Sequence, residues 1–275
     1  MKKRTRRWLS AMLAIVCMIS GGLYISYLLD YGSGDDAYSE AESLSQQTQI
    51  TQSTEETQAE EAPLQPQWIP APVSDDPNME EMAKKNLTAL RQINEDVVGW
   101  IWIPDSRISY PIMQGQDNDF YLNHTWRKEE NAVGSIFLEW QIRDDFSEFN
   151  TIVYGHNMKN KTMFSQLHNF RDIRFRDAHP YVYVLTDSGV YRYEVFSCYQ
   201  AEVESDTYQF GMQWDKTKQE YIDRAIKKSV IDCEITPEVT DRILTLSTCS
   251  GLGGILGTEN RWVVHAYLPM ELQSG

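Results

Sequence analysis

The chain has 275 residues, 41% of them hydrophobic, and a formal net charge of −15 at pH 7. That length holds one domain with a sizeable core beside any tethering segment. The acidity argues against a nucleic-acid partner, since phosphate backbones are held mainly by cationic side chains.

In chain order, Lys2, Lys3, Arg4, Arg6 and Arg7 crowd the first seven positions. Trp8 to Leu29 then runs 22 residues without a charge, about 33 Å as a helix against a bilayer core of roughly 30 Å. Cations before this run and acids from Asp30 onward predict a single plasma-membrane span over 8–29. Residues 1–7 then lie in the cytoplasm and the remainder outside the cell. The competing reading is a cleaved signal peptide, but its apolar core is usually about 7–15 residues. The run here is longer, and the small residues after Leu29 make a weak cleavage site.

Residues 30–82 hold thirteen Asp or Glu and no Lys or Arg, among many Ser, Thr, Gln and Pro. Such a composition buries too little apolar surface to offset its ordering entropy, so residues 30–76 are expected to form an acidic, disordered stalk. Mixed apolar, aromatic and charged texture then marks a folded domain over 77–275.

Within that domain, apolar spacing at Met79, Met82, Leu87, Leu90 and Ile93 predicts one helix over Pro77 to Asn94. Strands are expected at Val97–Ile103, Arg107–Met113, Ser135–Trp140 and Thr151–Tyr154, with Pro111 marking an edge. Thr162 to Phe170 reads as a short helix. Tyr181–Leu185 and Val190–Ala201 flank Asp187-Ser188-Gly189, a hairpin signal. Asp215 to Ser229 is helical, with Tyr221, Ile222, Ala225 and Ile226 on one face. Two last strands carry Cys249 and Arg261. Many short strands and few helices point to a mainly β fold, a closed or nearly closed barrel with peripheral helices.

Three strand ends carry chemistry. Asp241-Arg242-Ile243-Leu244-Thr245-Leu246-Ser247-Thr248 delivers Cys249 to a glycine-rich turn (Gly251, Gly253, Gly254, Gly257), whose freedom of backbone angle suits a variable groove wall. Thr151-Ile152-Val153-Tyr154 leads into Gly155-His156, and Arg261 opens Trp262-Val263-Val264. A thiol with pKa about 8.5 is mostly protonated at neutral pH and needs a cation or base beside it. His156 suits that role, and Arg261 offers a permanent charge and a planar fork for an oxyanion. Each residue alone has a plainer role: a buried inert thiol, a structural histidine, a surface arginine.

Together they look like one family. Thr245-Leu246-Ser247-Thr248-Cys249 resembles the active-site segment of sortases, membrane-anchored cysteine transpeptidases of Gram-positive bacteria. Arg261-Trp262-Val263-Val264 resembles their arginine strand and Tyr154-Gly155-His156-Asn157-Met158 their histidine segment. The helix at 215–229, with Tyr221-Ile222, is similar to that of class B. Over about residues 80–270 the resemblance implies Cys249 as nucleophile, His156 as acid/base and Arg261 as transition-state stabiliser. It implies substrate-groove roles for Asn118, Leu122, Tyr154, Ser247 and Tyr208, with loop capping or core packing as the alternative for Asn118, Leu122 and Tyr208. It also implies a sortase-like barrel, cleavage of a sorting motif after threonine in secreted surface proteins, and transfer to an amine of peptidoglycan or its lipid-linked precursor. No cofactor and no metal are implied, and His124, His168, His179 and His265 show no paired metal-ligand spacing.

Rival readings are a mainly hydrolytic enzyme, a pilus-assembling one, and a non-catalytic surface-binding module. The chain shows no C-terminal sorting motif of its own, which speaks against a wall-anchored substrate. Of the four cysteines, Cys17 falls in the expected span. The odd number outside it, Cys198, Cys233 and Cys249, flags a free thiol. Cys198 and Cys233 are open to pairing or to simple burial.

Overall fold

The computed structural model describes residues 19–22, 25, 32–46, 67–73, 75–249 and 260–273. Residues 1–7 lie outside that set, as does the expected span over 8–29 apart from 19–22 and 25. Among the described residues no helix is long and apolar enough to cross a membrane. The glycine-rich turn after Cys249 also lies outside them, through residue 259.

The expected stalk departs from disorder at both described places. Residues 32–45 form a helix, α1, which buries Gly34, Ala37, Tyr38, Ala41 and Ser45. That i, i+3, i+4, i+7, i+11 spacing is one helical face. Farther along, Gln67–Pro70 forms β1, which pairs antiparallel with Met270–Gln273 at the far end of the chain. The folded unit thus takes in residues well before 77.

The single helix expected over 77–94 is two, α2 (Pro77–Ala83) and α3 (Leu87–Arg91). Each has its own N-cap. Asp76 accepts from the Asn78 N–H at 3.0 Å and Asn86 from the Ala89 N–H at 3.2 Å. Asn86 restarts the helix because its short side chain satisfies an otherwise orphaned backbone donor. Its own N–H donates to the Ser45 carbonyl at 2.6 Å, fixing the end of α1 to this break.

The strands that follow are β2 (Val97–Trp102), β3 (Ser109–Met113), β4 (Ile136–Leu138), β5 (Asn150–Gly155), β6 (Tyr181–Thr186), β7 (Gly189–Glu202), β8 (Arg242–Cys249) and β9 (Asn260–Leu268). They close into an eight-stranded barrel in the order β2-β3-β4-β5-β8-β9-β7-β6. Pro111 does not mark an edge, because β3 has β2 on one side and β4 on the other. The pairing with β4 begins at Ile112, past the residue that lacks an N–H, so the ring tolerates it. Strands β6 and β7 meet through the two-residue turn Asp187-Ser188, as their sequence predicts.

Trp100, Ile101, Ile112, Ile136, Val153, Leu244, Leu246 and Val264 are buried in one hydrophobic cluster. Each such side chain contributes about 1.5–3 kcal/mol by leaving water. Outside the ring, α5 (Asp215–Lys228) lays Tyr221, Ile222 and Ala225 on a second cluster with Phe196, Tyr199 and Val263. A polar network threads this layer. The Thr245 hydroxyl donates to Asn150 Oδ1 at 2.7 Å, and His265 lies 3.0 Å from that hydroxyl and 3.1 Å from Tyr199 Oη. Burial pushes the His265 pKa down to about 3, so it serves as a neutral hydrogen-bonding core residue. The expected helix at 162–170 is a 3₁₀ segment, Phe164–Arg171, followed by a short α4 (Ile173–Ala178) absent from the sequence reading.

Candidate active site

The three strand ends converge because of register. Strands β5 and β8 run parallel with Tyr154 opposite Ser247 and Gly155 opposite Thr248. The next residues along the two strands are His156 and Cys249. Strands β8 and β9 run antiparallel with Cys249 opposite Arg261. One barrel edge therefore presents the backbone of all three positions side by side.

Beside this edge lies a cleft of about 300 Å³, lined by Asn118, Leu122, Tyr154, His156, Ser247 and Arg261, with Tyr208, Phe137 and Val203 completing its walls. The five expected groove residues thus share one hollow with His156 and Arg261. A larger hollow of about 520 Å³ lies between α1 and the barrel, and neither His156 nor Arg261 lines it.

The Leu122 backbone helps hold His156. Its Nε2 lies 2.7 Å from the Leu122 carbonyl oxygen. A carbonyl only accepts, so Nε2 carries the hydrogen in this contact. Gly155, just before it, leaves no room for a side chain: a Cβ there would run into Ile136 and the Phe164 ring. The glycine lets the strand approach the 3₁₀ segment and brings the imidazole to the rim. Arg261, half-buried, reaches the Asn260 carbonyl at 3.4 Å, and its charge is felt at Tyr154.

The cleft wall is stiffened by a carboxylate that sequence reasoning missed. Glu139 is 4% exposed. It accepts from Asn118 Nδ2 at 2.7 Å and from the Tyr154 hydroxyl at 2.9 Å, and its carbonyl takes Gln114 Nε2 at 3.0 Å. A buried carboxyl is retained where hydrogen bonds of this kind offset its desolvation. Burial first, and Glu139 second, push the Tyr154 phenol well above its usual range, so it stays a neutral donor. The Asn118 Oδ1 accepts from the Trp140 N–H at 3.1 Å, so this side chain closes its loop as well as lining the cleft. Tyr208 Oη lies 3.0 Å from Ser247 Oγ, and its ring stacks on Tyr154, centroids 6.2 Å apart. Only a lone acid after Ile136-Phe137-Leu138 could have signalled Glu139.

The remaining thiols differ in kind. Cys198 and Cys233 are both free. Burial pushes the Cys198 thiol up to about 12, and its Sγ donates to the Phe170 carbonyl at 3.2 Å. Cys198 therefore stays a protonated, poorly nucleophilic thiol near neutral pH. We expect iodoacetamide to label Cys249 first in the folded protein. Peptide mapping that found Cys198 labelled ahead of it would contradict this assignment. Among the described residues no group of three His, Cys, Asp or Glu is arranged to hold a metal ion.

The Sortase domain family matches residues 101–269, the stretch that holds the barrel from Ile101 in β2 to the end of β9. Sortase B of Listeria monocytogenes is 36% identical over 174 residues, 62% of this chain and 70% of that protein. A Staphylococcus aureus sortase B–substrate complex superimposes with a TM-score of 0.62 at 32% identity, covering 72% of this chain and 86% of that one. A sortase B complexed with triglycine does so with a TM-score of 0.62 at 33% identity, covering 68% and 86%. The chain belongs to the sortase family of cysteine transpeptidases, and its relatives are of class B.

Proposed function

We propose that this chain cuts a sorting motif after threonine in secreted surface proteins and passes the acyl group to a cell-wall amine. The observation that supports this is the strand register, with Gly155 opposite Thr248 and Cys249 opposite Arg261, next to the cleft that His156 and Arg261 line. The Cys249 thiolate attacks the threonine carbonyl carbon, and the resulting oxyanion is met by the Arg261 fork. The tetrahedral species collapses with loss of the C–N bond, and His156 protonates the departing amine. An acceptor amine then attacks the thioester, His156 takes its proton, and the thiolate leaves. Asn118, Leu122, Tyr154, Ser247 and Tyr208 bind the peptide.

A relative solved with substrate and another with triglycine support a peptide donor and an amine acceptor. In this proposal residues 8–29 anchor the enzyme to the outer face of a Gram-positive plasma membrane. Tethering would raise its effective concentration towards membrane-bound substrates and peptidoglycan precursors.

The test incubates the full chain with a panel of quenched threonine-containing motif peptides, with and without triglycine, and reads products by mass spectrometry. Amine-linked product that vanishes in Cys249→Ala is the expected result. Free acid alone, even with triglycine present, would favour hydrolysis. Absence of both cleavage and a Cys249 thioester across the panel would overturn the proposal.

A further inference from the structure

The imidazole of His156 is gripped by a loop, and the other side of that loop is gripped by α1. The loop runs over residues 121–135 and is closed on itself. Ser135 N–H donates to the Tyr121 carbonyl at 2.8 Å, Asn131 N–H to the Asn123 carbonyl at 2.8 Å, and the Ser135 hydroxyl to the His124 carbonyl at 2.8 Å. Near its end Gly134 adopts φ +59° and packs flush against its neighbours. A Cβ there would stand 2.6 Å from Leu122 O, 2.8 Å from Tyr121 O and 2.9 Å from His156 Cδ2. Leu122 O is the atom that holds His156 Nε2. One glycine therefore separates the imidazole and its carbonyl anchor from whatever holds the loop behind.

What holds it behind is α1. The Tyr38 hydroxyl donates to the Gly134 carbonyl at 2.6 Å and lies 3.0 Å from Ser135 Oγ. Trp126 Nε1 donates to the Ala37 carbonyl at 2.7 Å, Arg127 pairs with Glu40 at 2.8 Å, and Asn131 Nδ2 donates to Ser33 Oγ at 2.9 Å. On its barrel side α1 faces the 520 Å³ hollow lined by Asp35, Tyr38, Ser39, Glu42 and Tyr110. Its C-terminal half is held elsewhere, by the Asn86 N–H on the Ser45 carbonyl at 2.6 Å and by Lys85 and Ser109 on Glu42 at 2.6 Å and 3.2 Å, so the contacts to the loop belong to its N-terminal half.

We propose that Tyr38 is a positioning residue for catalysis: its hydroxyl, through Gly134 and Leu122, sets the orientation of His156. The claim rests on the role of His156 proposed above. Tyr38 touches neither substrate nor reacting atoms, and its effect is relayed through the loop. The helix that leads towards the N-terminus is in this way part of the active-site scaffold.

The test needs no substrate. Iodoacetamide alkylation of Cys249 is followed against pH in the full chain for wild type, Tyr38→Phe, Ser135→Ala, Glu40→Gln and His156→Ala. His156→Ala defines the profile of a thiol without its histidine. Tyr38→Phe removes a hydroxyl and keeps the ring. It is expected to move the wild-type profile towards that limit and, on a peptide the wild type cleaves, to lower kcat about fivefold at unchanged KM. Ser135→Ala should act in the same direction and decides the matter if Tyr38→Phe fails to fold. Glu40→Gln, which alters only an exposed ion pair on the same helix, should match wild type. A Tyr38→Phe profile superimposed on wild type, with or without a lower melting temperature, would overturn the proposal. So would an equal shift in Glu40→Gln, which would assign the effect to helix docking in general. If His156→Ala itself left the profile unchanged, the role of His156 would fail, separately from that of Tyr38.

Discussion

Replacing Arg261 by lysine is expected to lower kcat/KM by about 10²–10³-fold while moving the thermal midpoint little. Arg261 is the second residue of β9, opposite Cys249 and half-buried on the cleft, and its guanidinium donates a long hydrogen bond to its neighbour's carbonyl. Lysine keeps the positive charge and much of the stem but loses the planar fork. It cannot hold an oxyanion and a substrate carbonyl at once from a fixed plane. The midpoint should hold because the strand pairing is made by backbone. Steady-state kinetics and a thermal melt on the same preparation check this. Turnover at wild-type level would place Arg261 among surface residues and remove it from the mechanism.

The second large effect concerns a residue with no side chain. Gly134→Ala is expected to cost about 1–2 kcal/mol of stability, since a Cβ is disfavoured at left-handed backbone angles, here φ +59°. It should also cost turnover. The new methyl would meet two carbonyl oxygens and the His156 ring at less than 3.0 Å, and the ring is the softer of these neighbours. A displacement on the order of 1 Å at a reacting group lowers rate about 10²-fold. Gly189→Ala is the control. Gly189 also has positive φ, at +129°, but nothing stands within 4 Å of its would-be Cβ in the β6–β7 turn. It should lose stability and keep activity. If Gly134→Ala behaved like Gly189→Ala, the imidazole would not depend on the loop.

Much of this site is legible in the sequence because its chemistry sits at strand ends. The apolar runs before Cys249 and His156, and the run that Arg261 opens, are readable by β-propensity, and an abrupt change to glycine or polar residues marks where each begins or stops. Their order around the barrel is not legible. Tyr154 meets Ser247, and Gly155 meets Thr248, by a parallel pairing that no local signal announces. Glu139 stays hidden for a similar reason, since a single acid acquires meaning only when Asn118 and Tyr154 are folded onto it. Helix α1 reads as disordered stalk because its contact face is built of Gly34, Ala37, Ala41 and Ser45. These count as neutral in any hydropathy pattern yet allow close approach. Tyr38 is the one large apolar ring on that face, and a single aromatic among acids and serines reads as composition. The break at 84–86 escapes a reading by apolar spacing, which continues across it, while the capping amide of Asn86 signals a restart.

On the proposed mechanism, the parallel pairing of β5 with β8 also bears on when the enzyme can become active during its own biogenesis. Partners as distant in the chain as Thr151 and Leu244 must meet, with the β6–β7 hairpin and α5 made in between. Such non-local closure is among the slower events in folding. Until it happens nothing brings the His156 and Cys249 backbones together, and on the proposed mechanism the thiol is then an ordinary one with a pKa near 8.5. A newly made or half-folded chain therefore carries a quiet nucleophile. On the proposed mechanism reactivity requires this pairing, so Cys249 alkylation followed during refolding would report when the two strands meet.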